Sequence, residues 1–257
     1  MKTIFQVAFW SFVLFCPLSA DCQVLQSKGL GDTYSDKVSS FVLPIRQKNT
    51  SDYRRVKILF RRAHRNFLKK YKAYALVEDV FEKGRFDCLS GTCFLGLTLE
   101  KMGVKYRLIE TNYHIFLIAQ TNRGEVLLES TDRYNGFVAN KKRIDERIST
   151  YRNNKIRRGS QLYLAQQQIY DEILPQQLPG LFYFNQAVGA FNRNNLELSC
   201  RLLENAWKIY DNPRIDEFTP ILIRCILQSN LEETLKQSLV AVLKSHQHRY
   251  TNTLATR

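Results

Sequence analysis

GRFDCLSGTCFLGLTLEKMGVKY, residues Gly84 to Tyr106, is the stretch from which the fold is read. Gly84-Arg85-Phe86-Asp87 has the composition of a turn, and Cys88 follows it. Ser90, Gly91 and Thr92 then lead into Phe94, Leu95, Leu97, Leu99 and Met102. These apolar positions recur at helical spacing and cover much of the circumference, which predicts a buried, central helix. Gly103 is placed to end it as a C-terminal cap. The stretch therefore delivers a cysteine to a helix N-terminus, where unpaired backbone N–H groups and the positive end of the dipole favour thiolate, the nucleophilic form. The competing assignment for Cys88 is a small core hydrophobe. That is the role expected of Cys93, which lies over a turn further in.

Upstream, Leu76 to Lys83 reads as a short helix ending at Gly84. From Ser51, the residues Tyr53, Val56, Leu59, Phe60, Ala63, Phe67, Tyr71 and Tyr74 recur at steps of three and four, which predicts an amphipathic helix. Its other face carries Arg54, Arg55, Lys57, Arg61, Arg62, Arg65, Lys69 and Lys70. Such a face is either solvated or meets phosphate, nucleic acid or anionic lipid. No nucleic-acid motif accompanies it, so no nucleic-acid partner is expected. Gln23 to Thr50, with Gly29, Gly31, Pro44 and several serines, reads as an extended lead-in.

Downstream, Val104 to Ile109 reads as a strand broken by Glu110-Thr111-Asn112. Tyr113 to Ala119 is rich in β-branched and aromatic residues, Thr121-Asn122-Arg123-Gly124 is a turn signal, and Val126 to Thr131 is the return strand. His114 is then a polar residue in an apolar strand, with Cys88 upstream and Glu129 and Asp132 closing the hairpin. Thiol, imidazole and carboxylate in that order supply a nucleophile, a general base and an orienting group. Hairpin parity bears on the acid. A two-residue turn at Asn122-Arg123 sets His114 opposite Thr131 and puts Glu129 on the same face with Phe116, Ile118 and Leu127. A three-residue turn would set Asp132 opposite His114 instead. A four-residue turn, with Gln120 opposite Glu125, keeps the first parity, so two of the three turn lengths favour Glu129.

The order of these residues resembles the transglutaminase-like (papain-like cysteine) superfamily, and its secreted bacterial branch in particular. The helix from Cys88 runs into Gly103-Val104-Lys105-Tyr106, as that family's cysteine helix runs into a glycine-led strand. Tyr113-His114-Ile115-Phe116 matches its histidine motif. Glu129-Ser130-Thr131 matches its acid-x-Thr motif, with Glu in place of Asp. The resemblance covers Ala63 to Gly136. It implies an α+β fold, a transglutaminase-like lobe with a helix packed on an antiparallel sheet. It also implies a cysteine hydrolase or acyl-transferase acting on a peptide or amide substrate. Cys88 would attack the carbonyl, His114 would move the proton and Glu129 would orient His114, with no metal or cofactor required. The family also contains inactive members, which makes a binding module for an acidic partner or envelope surface the alternative. Zinc held by Cys88, Cys93 and His114 is disfavoured, because paired zinc cysteines are separated by two to four residues.

The remaining features bound the setting. The 257-residue chain is 44% hydrophobic, ordinary for a globular protein, but its net charge of +14 favours an acidic partner, an acidic surface or simply solubility. Lys2, the apolar run Ile4 to Phe15, and Ala20-Asp21-Cys22 read as a signal peptide over residues 1–22. Export would leave Cys88, Cys93, Cys200 and Cys225 in an oxidising compartment, the periplasm or outside the cell. The transglutaminase-like domain is assigned to 23–158 with its basic helix, ending in a basic link with a short helix near Lys141 to Tyr151. Residues 159–257 are assigned to an all-helical domain. Phe182-Tyr183, Ala187, Ala190, Leu203 and Ala206 fall near a tetratricopeptide-like pattern there. A second helix pair, Asp216 to Gln228 and Leu231 to Ser245, is expected with Asn230 as the cap of the last helix. Cys200 and Cys225 are expected on neighbouring antiparallel helices, with a disulfide open to them only if their Cα atoms are close.

Overall fold

The structure, a computed structural model, describes residues 34–112, 114–153, 169–210 and 212–255, with residues 153 and 246–255 described in backbone alone. The expected signal peptide lies outside the described residues. In chain order the elements are α1 (Ser35–Arg46), α2 (Asp52–Asn66), β1 (Lys70–Tyr71), α3 (Val77–Lys83), β2 (Arg85–Phe86), α4 (Cys88–Met102), β3 (Tyr106–Thr111), β4 (Ile115–Thr121), β5 (Gly124–Leu128), β6 (Phe137–Val138), α5 (Lys141–Asn153), β7 (Tyr170–Ile173), a 3-10 turn (Pro175–Gln177), α6 (Leu178–Asn192), α7 (Leu196–Ile209), α8 (Pro213–Gln228) and α9 (Glu233–Ala255). The protein is thus mixed α/β, with a five-stranded antiparallel sheet of order β6-β5-β4-β3-β7.

The central helix α4 forms where its apolar spacing predicts, and side-chain chemistry marks both of its ends. Asp87 caps it: one carboxylate oxygen accepts from Ser90 N at 2.8 Å, and Ser90 Oγ accepts from Asp87 N at 2.9 Å. Gly103 closes it with φ +70, a left-handed conformation that costs glycine little. Between these ends α4 packs on α1, α2, α3 and β4. Its Phe94 sits among the rings of Phe41, Phe67 and Phe81 at 4.8–5.9 Å.

The β4–β5 hairpin has the two-residue turn, with Thr121 opposite Gly124 and Leu117 opposite Leu128. That register puts Phe116, Ile118 and Leu127 on one face. They form a cluster there with Ile109 and Val138, covered by Ile144, Ile148 and Tyr151 of α5. The helix over Lys141 to Tyr151 is therefore the layer that roofs this face.

Several expectations are corrected. The lead-in is not all extended, because Ser35–Arg46 is helical and Val38, Phe41, Val42 and Ile45 bury one stripe. Pro44 lies in its last turn, and the chain leaves the helix two residues later. The basic helix ends at Asn66, earlier than its periodicity suggests, and the chain turns into β1, which pairs in parallel with β2. Lys69, Lys70, Tyr71 and Tyr74 therefore leave that helix. Tyr74 (φ +60) instead meets the helical region: its ring packs on Gly189, and its carbonyl accepts from Gln186 Nε2 at 2.8 Å.

Glu110 and Thr111 do not break β3 but continue it, both buried. The chain after Gln161 is not wholly helical, since β7 pairs with β3 as an edge strand. Its exposed Asp171 and Glu172 are suited to an edge. Asn230 does not cap α9, which begins at Glu233 directly after Glu232. Cys200 and Cys225 lie on α7 and α8, which touch, and both thiols are free.

Glu129 N donates to Gly136 O and Gly136 N to Asp132 O, both at 2.8 Å, so the loop between β5 and β6 is folded tightly on itself. A Cβ on Gly136 would lie 2.2 Å from Asp132 O and 2.3 Å from Glu129 O, both backbone atoms. Gly136→Ala is therefore expected to destabilise the protein by about 1–3 kcal/mol, the range for overpacking. Urea denaturation measures this, and an unchanged midpoint would show that the loop relaxes freely.

Candidate active site

The geometry starts from the cap. Asp87 is 3% exposed, and its second carboxylate oxygen accepts from Asn185 Nδ2 of α6 at 2.9 Å. Burial pushes this carboxyl above the ordinary range, against the pull of its hydrogen bonds from Ser90 and Asn185. The first turn of α4 is then stitched to the sheet. Thr92 Oγ1 donates to Ile115 O at 3.2 Å, and Ser130 Oγ donates to Cys88 O at 3.4 Å. Gly91 permits this approach, because a Cβ there would meet Ser130 at 2.9 Å. The hairpin is thereby held against the helix end that carries Cys88.

His114 stands just before β4, and its Nε2 is hydrogen-bonded to Glu129 Oε2. The Cys88 side chain lines the same narrow cavity as this ring and acts on its charge. Glu129 is 2% exposed and fully engaged. Oε1 accepts from Thr131 N at 3.0 Å and Thr131 Oγ1 at 2.7 Å, and Oε2 also accepts the Tyr151 hydroxyl at 2.8 Å. Burial disfavours charge on His114, but Cys88 and Glu129 outweigh it and raise the imidazole to about 10. Burial likewise opposes charge on Glu129, while His114 and Thr131 hold its carboxyl at about 2. At neutral pH the pair is an imidazolium on a carboxylate. Asp132 faces elsewhere: it takes Arg147 Nη2 at 3.0 Å and Asn135 N at 2.8 Å.

Cys93 is fully buried in α4. Burial first, and then the charge of Glu78, pushes its thiol up to about 12. Cys88 is the partly accessible one of the two.

Two cavities flank His114. A narrow one of ≈ 80 Å³ is lined by Cys88, Leu89, His114 and Ile115 and roofed by Leu181, Phe184, Asn185 and Arg214 from the helical region. Arg214 stacks over Phe184 at 5.1 Å and pairs with Glu110. Burial lowers its guanidinium to about 10, against the opposing fields of Cys88 and Glu217. A wider cavity of ≈ 670 Å³ is bounded by His114, Glu129, Thr131, Asp132, Arg143, Arg147 and Tyr151, among others.

Sequence reasoning brought out Cys88, His114 and Glu129, which the fold brings together. It missed Asp87, Tyr151, Asn185 and Arg214. Only Asp87 had a local signal, the Asp87-x-x-Ser90 spacing of a helix cap. No group of three or more His, Cys, Asp or Glu side chains suited to a metal occurs among the described residues. No helix of the described residues is long and apolar enough to cross a membrane. No protein-family model matches the chain, and neither does any curated protein or solved structure.

Proposed function

We propose that the protein is an exported cysteine hydrolase or acyl-transferase of transglutaminase-like architecture that acts on amide bonds. The observation that carries the reading is the His114 imidazole, bonded through Nε2 to the buried Glu129 and lining one narrow cavity with Cys88. In this reading Cys88 is the nucleophile, attacking in its thiolate form, and His114 is its proton partner. The sulfur attacks the amide carbonyl, a C–S bond forms, and the backbone N–H of Cys88 donates to the developing oxyanion. His114 gives its proton to the leaving amine as the C–N bond breaks, which leaves a thioester. It then takes a proton from water or from an acceptor amine, whose attack releases the acyl group and restores the thiolate. The narrow cavity admits a flat carboxamide or a small side chain to the sulfur. The same narrowness, with Arg214 and Phe184 over the sulfur, also favours the second reading: an inactive transglutaminase-like domain that binds an acidic partner or envelope surface.

Alkylation of the folded protein by iodoacetamide near neutral pH separates the two. The catalytic reading expects modification at Cys88 ahead of half-buried Cys225, with Cys93 and Cys200 untouched. His114→Gln should slow the Cys88 reaction by about a hundredfold. A Cys88 rate that ignores His114, or preferential labelling of Cys93, overturns it in favour of the binding module.

A further inference from the structure

Away from Cys88, five cationic side chains converge on one concavity formed by α2 and the loop after Glu129. Lys48, Arg61, Arg62, Arg65 and Arg133 line a cavity of ≈ 680 Å³ together with His64, and no carboxylate lines it. None of the five takes part in an ion pair among the described residues. The acids whose fields reach His64, Asp132 and Glu129, are committed to Arg147 and His114. Among the described residues, then, no ion pair neutralises the charge of the concavity.

The second observation is His64 itself. It is 2% exposed, and neither Nδ1 nor Nε2 has a hydrogen-bond partner; the backbone of Leu68 comes near without hydrogen-bond geometry. Buried polar atoms are nearly always satisfied, so a shielded imidazole with neither nitrogen bonded, directly beside the arginines, marks a site whose polar groups are not completed within the described fold. Burial, then the charge of Arg133, lowers the ring to about 4. It therefore stands neutral below the arginines and adds no repulsion of its own. Tyr134, 87% exposed, presents a ring at the rim.

We infer that this cavity binds the phosphate group of a small phosphate ester or diphosphate, with Arg61, Arg65 and Arg133 gripping the oxygens and His64 forming the floor. Guanidinium forks match the oxygen spacing of phosphate, which a solvated array of lysines would not do. The volume suits a small organic phosphate rather than a bare ion, and the Tyr134 ring offers a surface for its organic part. The site is separate from the Cys88 chemistry and stands or falls without it. The phosphate comes either from a soluble ester or from a lipid headgroup.

Titration calorimetry of inorganic pyrophosphate into the full chain at low ionic strength is the test. Saturable binding is expected, weakened about tenfold or more by Arg61→Gln/Arg65→Gln. A double variant of equal charge on α5, Lys141→Gln/Lys142→Gln, should leave it unchanged. The His64 ring protons should shift in NMR on titration while those of His114 stay. Absence of saturable heat, equal weakening by the α5 variant, or a stationary His64 signal would each overturn the site. Co-sedimentation with phosphatidic acid vesicles that pyrophosphate reverses assigns the source to a headgroup. Pyrophosphate binding without vesicle capture assigns it to a soluble ester.

Discussion

Glu110→Ala is expected to destabilise the protein by about 3–5 kcal/mol, the cost of removing one partner of a buried ion pair. Glu110 is 1% exposed on β3. Its carboxylate accepts from Tyr210 Oη at 2.7 Å and Asn212 Nδ2 at 3.0 Å, and it pairs with Arg214. These three donors come from the end of α7 and the start of α8, so one carboxylate fastens the helical region to the sheet. Without it, Arg214 stays in place with its side chain only 14% exposed and loses its paired carboxylate, keeping the field of Glu217. Melting of the variant against the wild type measures the effect, with a drop of roughly 10 °C expected at about 2–4 °C per kcal/mol for a chain of this size. A loss under about 1 kcal/mol would show that desolvation cancels the network. A double replacement, Glu110→Leu with Arg214→Met, should recover most of the loss, because it removes both charges and keeps the volume. Arg214 also roofs the Cys88 cavity. Glu110→Ala should therefore expose Cys88 to alkylation before the protein melts.

What was legible in the sequence was what neighbours decide. Helix α4 carries its own periodicity and caps and the β4–β5 hairpin its own turn, so the helix bounds and the face shared by Phe116, Ile118 and Leu127 could be read locally. The strands themselves run Ile115–Thr121 and Gly124–Leu128 rather than Tyr113 to Ala119 and Val126 to Thr131. The same parity argument selected Glu129 over Asp132, and the structure puts Glu129 on His114. What was illegible depends on partners far along the chain. Glu110 looks like a strand break until Tyr210, 100 positions on, supplies a donor. Strand β7 is four residues with two charges, and only its pairing with β3 makes it a strand. Pro44 and its serine neighbours hid the stripe of Val38, Phe41, Val42 and Ile45, because breakers outweigh a short apolar pattern. In the site, Cys88, His114 and Glu129 were picked out by their order and spacing, and the fold brings them near one another. Tyr151, Asn185 and Arg214 arrive on other helices and leave no local trace.

Glu129→Gln is expected to slow alkylation of Cys88 by about a hundredfold at neutral pH, within the range for loss of acid–base function. Asp132→Asn should have little effect, since Asp132 serves Arg147. The pH profile carries the sharper test. Glu129 is one of the two groups that raise His114 to about 10. In the Gln variant, the alkaline pH at which the imidazolium is lost should fall toward the ordinary value of 6.5. Stability follows the same linkage. His114 has a raised folded pKa, so its contribution is complete below about 6.5 and is lost as pH rises toward about 10. Glu129 has a depressed one, so its contribution is complete above about 4.5 and is lost as pH falls toward about 2. Both are present in full only between about 4.5 and 6.5. The difference in unfolding free energy between wild type and Glu129→Gln should be widest in that window and should narrow on either side. Urea denaturation across the pH range reads it directly. A difference that stays constant with pH, or that grows above pH 7, would show that Glu129 supports the fold through packing and the Thr131 and Tyr151 hydrogen bonds rather than through the charge of His114.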